Sequence, residues 1–188
     1  MTTIHDFAIY SSNQTGILNR ITAVFSRINL NIDALSVCES AEPGVFRHSV
    51  QVRCDHPTAN RLAQQLGRQI EVIRAEFRTA ADSIQQEVAL YKIASSSMLE
   101  QAVTEQVIHR HHARVLSMNS DYTVIEKTGS RAESQALYED LAVVGVMEFV
   151  RSGPVSIGKP NATQGHPALA TTADMSFHKQ HATCEVEQ

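Results

Sequence analysis

Asn13-Gln14-Thr15-Gly16-Ile17-Leu18-Asn19-Arg20-Ile21 opens the stretch that decides the fold, which runs on through Asn29-Leu30-Asn31-Ile32 to Cys38. Ile17, Leu18, Ile21, Val24, Phe25 and Ile28 recur at steps of three and four, the spacing of one apolar helix face. Thr15 is the expected N-cap, and Gly16 lets the backbone pass close to whatever lies in front of it. Asn29 or Asn31 can adopt the left-handed conformation that ends a helix. The segment before the turn, residues 4–11, alternates His5, Phe7 and Ile9 against Ala8 and Tyr10, as a strand does. A helix that starts straight after a strand points its first amide N–H groups into the turn. Those groups and the helix dipole favour an anion such as a carboxylate. Without a ligand, the same residues make an ordinary strand–turn–helix.

Working outward, a second strand is expected from Asn31 to Glu39 and a turn at Ser40-Ala41-Glu42-Pro43-Gly44. A third strand alternates Phe46, His48, Val50 and Val52 against Arg47, Ser49, Gln51 and Arg53. Asp55-His56-Pro57-Thr58 opens a second helix with the stripe Ala59, Leu62, Ala63, Leu66 and Ile70, and Val72 to Phe77 is a fourth strand. The order β-α-β-β-α-β is a ferredoxin-like unit of about 75 residues. Arg78 to Gln85 is polar and reads as a linker. The order then repeats. Val88 to Ile93 is a strand, and Leu99, Ala102, Val103 and Gln106 mark a helix face. Arg114–Met118 and Tyr122–Lys127 form a hairpin. Ser134, Leu137, Tyr138 and Leu141 mark a helix, and Val146 to Val150 closes the unit, with one more short edge strand at 151–157. The sequence therefore reads as an α+β chain of two duplicated units. The expected divisions are residues 1–78, a linker at 79–85, a second unit at 86–158 and a mobile tail at 159–188. The two copies differ at the first strand–helix turn. The second carries Ala94-Ser95-Ser96-Ser97, with no glycine and no amide side chain, so it is not expected to bind the ligand of the first.

Composition narrows the function classes. The net charge of −4 and the absence of a basic face argue against nucleic acid as a partner. An RNA-recognition module shares the β-α-β-β-α-β order but needs exposed aromatics on its middle strands; strand three offers only Phe46. No apolar run approaches the roughly 20 residues of a membrane span. The first residues show no secretory signal, and Cys38, Cys54 and Cys184 form no disulfide or zinc pattern, so a cytoplasmic setting is expected. His109-Arg110-His111-His112 lacks accompanying ligands and fits a helix C-terminus better than a metal. His48, among Phe46 and Val50, is expected to be packed or hydrogen-bonded. Ser95 to Ser97 lack a nucleophile turn, and no pair of carboxylates stands out as acid and base. An enzyme carrying a built-in sensory unit would need a catalytic site in its second half, which instead repeats the first.

The Asn13-x-x-Gly16-x-Leu18-x-Arg20 turn resembles the opening of ACT domains, which bind amino acids. Phe25-Ser26-Arg27, Asn31-Ile32-Asp33-Ala34-Leu35-Ser36-Val37, Gln69-Ile70-Glu71-Val72-Ile73, Glu87-Val88-Ala89-Leu90-Tyr91-Lys92-Ile93 and Arg151-Ser152-Gly153-Pro154-Val155 narrow the likeness. In register over residues 4–158, they resemble the small regulatory subunit of acetolactate (acetohydroxyacid) synthase. Ser12, where many relatives have an acidic residue, and Cys38, at the end of strand two, depart from the pattern. The resemblance implies an N-terminal ACT domain, an ACT-like second unit and no catalysis by this chain. It implies a homodimer that binds the catalytic large subunit, in which thiamine diphosphate, Mg and FAD are expected. A branched-chain amino acid, typically valine, would be the effector. Asn13, Gln14, Thr15, Gly16, Ile17 and Leu18 of one protomer would cover its charged end, and Asn31 and Ile32 of the other would close the site. A free-standing amino-acid sensor controlling another metabolic enzyme is the alternative.

Overall fold

The computed structural model describes residues 2–94 and 98–160, the side chains of 98–101 excepted. The Ser95–Ser97 turn, the Leu99 side chain and the stretch from 161, including Cys184, lie outside the described residues. The first repeat is β1 (Thr3–Ser12), α1 (Ile17–Ser26), β2 (Ile32–Glu39), β3 (Val45–Cys54), α2 (His56–Leu66) and β4 (Val72–Thr79). Its strands pair antiparallel in the order β2-β3-β1-β4, leaving β2 and β4 as edges. A single 3-10 turn, Ala80–Asp82, leads to β5 (Ser83–Ala94), α3 (Met98–Arg110), β6 (Arg114–Met118), β7 (Tyr122–Gly129), α4 (Arg131–Ala142), β8 (Val146–Arg151) and β9 (Val155–Gly158). The second sheet has the order β6-β7-β5-β8, and β9 pairs with the start of β5. Two ferredoxin-like repeats, an α+β architecture, are thus present.

Alternation on the strands makes each core. Phe7 and Ile9 of β1 and Val50 and Val52 of β3 face Ile17, Ile21, Val24 and Phe25 of α1 and Ala59, Leu62 and Leu66 of α2. Phe7 stacks on Phe77 and meets Phe25 edge-on, ring centroids 5.6 Å apart in each pair. Asp55 caps α2 by accepting from the Thr58 amide at 2.9 Å, with Pro57 in the first turn. The second core gathers Ala89, Tyr91, Ile93, Val107, Ile125, Leu137 and Leu141. There the Tyr91 hydroxyl donates to the Ser134 carbonyl at 2.6 Å, and burial pushes its pKa up to about 12. A reciprocal capping box between Ser130 and Glu133 starts α4.

Several elements differ from the sequence reading. Ile70 is 96% exposed, because α2 stops at Leu66 and the chain turns before β4. The stretch read as a linker is mostly strand: β5 reaches back to Ser83, where residues 83–86 pair with β9. Polarity misled there, because this part of β5 spends its hydrogen-bonding groups on the junction. Gln85 donates to the Asp6 carboxylate across the repeats, and Gln51 donates to the same carboxylate at 2.9 Å. Arg47 reaches the Ser156 carbonyl at 2.6 Å. Among the described side chains of α3 the buried ones are Thr104 and Val107, while Val103 is 46% exposed and Ala102 and Gln106 face solvent. The apolar residues of α3 are spread round the helix instead of gathered on one face, so its periodicity was too weak to phase.

Candidate functional site

β1 ends at Ser12, and the chain turns through Asn13, Gln14 and Thr15 into α1. The Ser12 carbonyl accepts from the Gln14 amide at 3.0 Å, and the Gln14 carbonyl accepts from the Ile17 amide at 3.2 Å. Gly16, not Thr15, is the N-cap, at φ +85° in the left-handed region, and no side chain caps the helix. A side chain at 16 would face open space but would strain the backbone. The uncapped helix start therefore offers backbone donors and the positive end of the dipole to solvent. Asn13, Gln14, Thr15, Gly16 and Leu18 are exposed. Ile17 is buried at 6% and belongs to the core, so its side chain is not available to a ligand.

The turn is braced from beneath. The Ser12 amide donates to the Glu71 carbonyl at 3.1 Å, and Arg20, in the first turn of α1, pairs with the Glu71 carboxylate. Deeper, His48 Nε2 and the Ser11 hydroxyl are 2.9 Å apart, both residues fully buried. Sequence alternation put His48 on a face with Phe46 and Val50 but gave no sign that it meets Ser11; their pairing depends on the β1–β3 register, which sets Ile9 opposite His48.

Asn31 and Ile32 are elsewhere in the same chain. Asn31 is exposed and Ile32 half-buried, at the start of β2, where Ile32 pairs with Val52. Val52 also pairs with His5, near the beginning of β1. One chain therefore does not bring Asn31 and Ile32 to the Asn13–Leu18 turn. Asn29, at φ +55°, supplies the left-handed residue that ends α1. Beside these residues runs the edge strand β2. Leu35 and Val37 pair with Val50 and His48 and so face the helix side of the sheet, yet they stay 38% and 41% exposed. Leu18 (39%) of α1 and Ile28 (43%), just past its end, are the two residues of the expected apolar stripe that miss the core, and they are exposed as well. Periodicity identified all four as apolar but could not tell an uncovered edge from a core.

Away from this turn, Asp140 accepts from Arg110 at 3.1 Å and from His111 at 2.8 Å. The His111 hydrogen bond is the main cause holding its carboxyl below the usual carboxylate range. Among the described residues no group of three or more His, Cys, Asp or Glu is placed to hold a metal, and no helix is long and apolar enough to cross a membrane.

Residues 7–74 match the ACT domain of the acetohydroxyacid synthase small-subunit type, and residues 86–160 match the small subunit of acetolactate synthase. The chain is 30% identical over 155 residues to the acetolactate synthase small subunit of Mycobacterium leprae, spanning 82% of this chain and 91% of that one. It is 29% identical over 148 residues to that of Bacillus subtilis, spanning 78% and 86%. The fold matches the acetolactate synthase small subunit of Thermotoga maritima with a TM-score of 0.76 at 23% identity, over 85% of this chain and 99% of that one.

Proposed function

The chain belongs to the acetolactate synthase small-subunit family, and from that premise we propose that it is the regulatory subunit of such an enzyme, with a branched-chain amino acid, valine foremost, as its effector. In this reading it binds the catalytic large subunit, raises its activity and makes it sensitive to the effector. The chemistry, with thiamine diphosphate, Mg and FAD, resides in the large subunit.

The observation that carries the reading is the split site. The Asn13–Leu18 turn and Asn31 lie at opposite ends of one repeat, and among the described residues β2 is an unpaired edge with exposed Leu35 and Val37. Antiparallel pairing of two β2 edges about a two-fold axis brings the start of one β2 to the end of the other. Asn31 and Ile32 of one protomer then approach the Asn13–Leu18 turn of its partner, and two equivalent sites form. Pairing also covers edge hydrogen-bonding groups that are otherwise open to a foreign strand.

A zwitterionic amino acid suits such a site. Its carboxylate accepts from the uncapped amides at the helix start, and its ammonium reaches the oxygens of Asn13 or Asn31. Burying a valine side chain beside Leu18 adds roughly 1.5–3 kcal/mol, enough to bias one quaternary state over another by about tenfold or more. The test is calorimetric titration of the dimer with valine, leucine and isoleucine. Saturable binding of one of them, one molecule per protomer, supports the reading; no binding of any of the three contradicts it.

A further inference from the structure

We infer that His48 is a positioning residue for the effector turn: through the Ser11 hydroxyl it holds the Ser12 carbonyl on which that turn is built, so effector affinity depends on the hydrogen bond that His48 donates to Ser11. This rests on the effector reading above and goes beyond it to a residue that touches no ligand.

The connection is a chain of four hydrogen bonds. His48 Nε2 lies 2.9 Å from Ser11 Oγ. Ser11 Oγ donates to the Ser12 carbonyl at 3.1 Å, the same oxygen that takes the Gln14 amide at 3.0 Å, and the Gln14 carbonyl takes the Ile17 amide at 3.2 Å. A hydroxyl has one proton. If Ser11 gives it to Ser12, His48 Nε2 must carry the proton of its bond to Ser11, and that is the only neutral tautomer that makes both bonds. Nδ1 is then a bare lone pair, and it is buried without a partner. Protonating Nδ1 would create a buried donor and a buried charge with nothing to receive either.

The surroundings offer the charge no compensation. Opposite His48 stand Ile9 on β1 and Val37 on β2, with Phe46 and Val50 flanking it on β3. On its face of the sheet the titratable groups are His5 and Cys54, together at the far ends of β1 and β3, and Glu39 on β2, which accepts from the Gly44 amide. On α1, Arg20 is paired with Glu71 and Arg27 is the C-cap; α2 carries His56 and Arg61. Asp6, Arg47 and Arg53 alternate onto the opposite face. Burial, with no charged neighbour contributing, holds the His48 pKa below the ordinary imidazole value.

The experiment is calorimetric titration of the full chain and its variants with valine, leucine and isoleucine at about pH 7. His48→Leu, which has no donor, should bind about three- to tenfold more weakly than wild type. His48→Gln, whose Nε2 can still donate to Ser11, should restore binding to within about twofold of wild type. Ser11→Ala breaks the connection while leaving His48 in place. It should bind about three- to tenfold more weakly. Binding by His48→Gln as weak as by His48→Leu, or Ser11→Ala binding like wild type, overturns the inference and leaves the effector site standing. Absence of binding by wild type overturns both. Should His48→Gln fail to fold, Ser11→Ala alone decides.

Discussion

Ile32 and Ser12 sit at opposite ends of β3, Ile32 paired with Val52 and Ser12 with Val45. Seven residue steps of strand separate those partners, about 23 Å. A ligand the size of valine cannot touch both ends, so a site that uses both needs two chains. Self-association is therefore the first prediction. The chain should sediment as a dimer at micromolar concentration. Val37→Asp, an exposed edge position that leaves the core intact, should weaken dimerisation at least tenfold, about 1.4 kcal/mol, and abolish effector binding with it. Sedimentation equilibrium of both proteins checks this.

Gly16 separates strain from charge. Space around it is open, but φ is +85°. Gly16→Ala should lower stability by about 1–2 kcal/mol and leave feedback control largely intact. Gly16→Asp adds a carboxylate where the effector's own belongs, at about 1–4 kcal/mol for a like charge near 4 Å. It should still fold and still activate the large subunit, while effector affinity falls at least about tenfold. Denaturant unfolding and binding titration of the two variants, side by side, distinguish the two effects. Asn31→Ala, acting from the partner protomer, should weaken binding more mildly, by about three- to tenfold.

Stability should fall as the solution is acidified below about pH 6.5. Burial, the leading cause, lowers the pKa of His5 and His48 in the folded chain. The unfolded chain takes up protons first as pH drops, so it is favoured, and stability returns as pH rises back to the ordinary imidazole range. Asp6 acts with the opposite sign and at lower pH. Burial raises its pKa, so the folded state holds that proton more readily, and acidification through the carboxylate range relieves a penalty. Urea midpoints measured from about pH 7.5 to 5.5 should decline in wild type and decline less in His5→Asn.

Tyr91 gives a test of the second core. Its hydroxyl bonds the Ser134 carbonyl inside the protein. Tyr91→Phe should destabilise the chain by about 1 kcal/mol. In an alkaline spectrophotometric titration, one of the four tyrosines should ionise only near its value of about 12.

How far the sequence could be read follows from where its periodicity was strong. β1 and β3 alternate cleanly, and α1 and α2 carry dense apolar faces, so the first repeat was legible nearly to the residue. Leu18, Ile28, Leu35 and Val37 belong to the same patterns but are not in the core, because alternation does not reveal whether a neighbouring element covers a face. α3 lacked a strong stripe, and its face was placed one position off. The start of β5 looked like a linker because Gln85 and its neighbours are polar for a reason visible only in three dimensions, the bond to Asp6. The turn at Asn13–Leu18 was legible as a strand-to-helix junction, but its cap was not: Gly16 performs by conformation what Thr15 was expected to do by hydrogen bonding. The Ser11–His48 pair required a register that no single strand contains.

The central claim is tested most directly by reconstitution. Acetolactate formation by the cognate large subunit is measured without this chain, with it, and with its Gly16→Asp variant, each across rising valine, leucine and isoleucine. The expected result is that both forms raise the activity, that one of the three amino acids reverses the effect of wild type, and that Gly16→Asp resists that reversal. Activity that this chain leaves unchanged, or inhibition equal in wild type and Gly16→Asp, would contradict it.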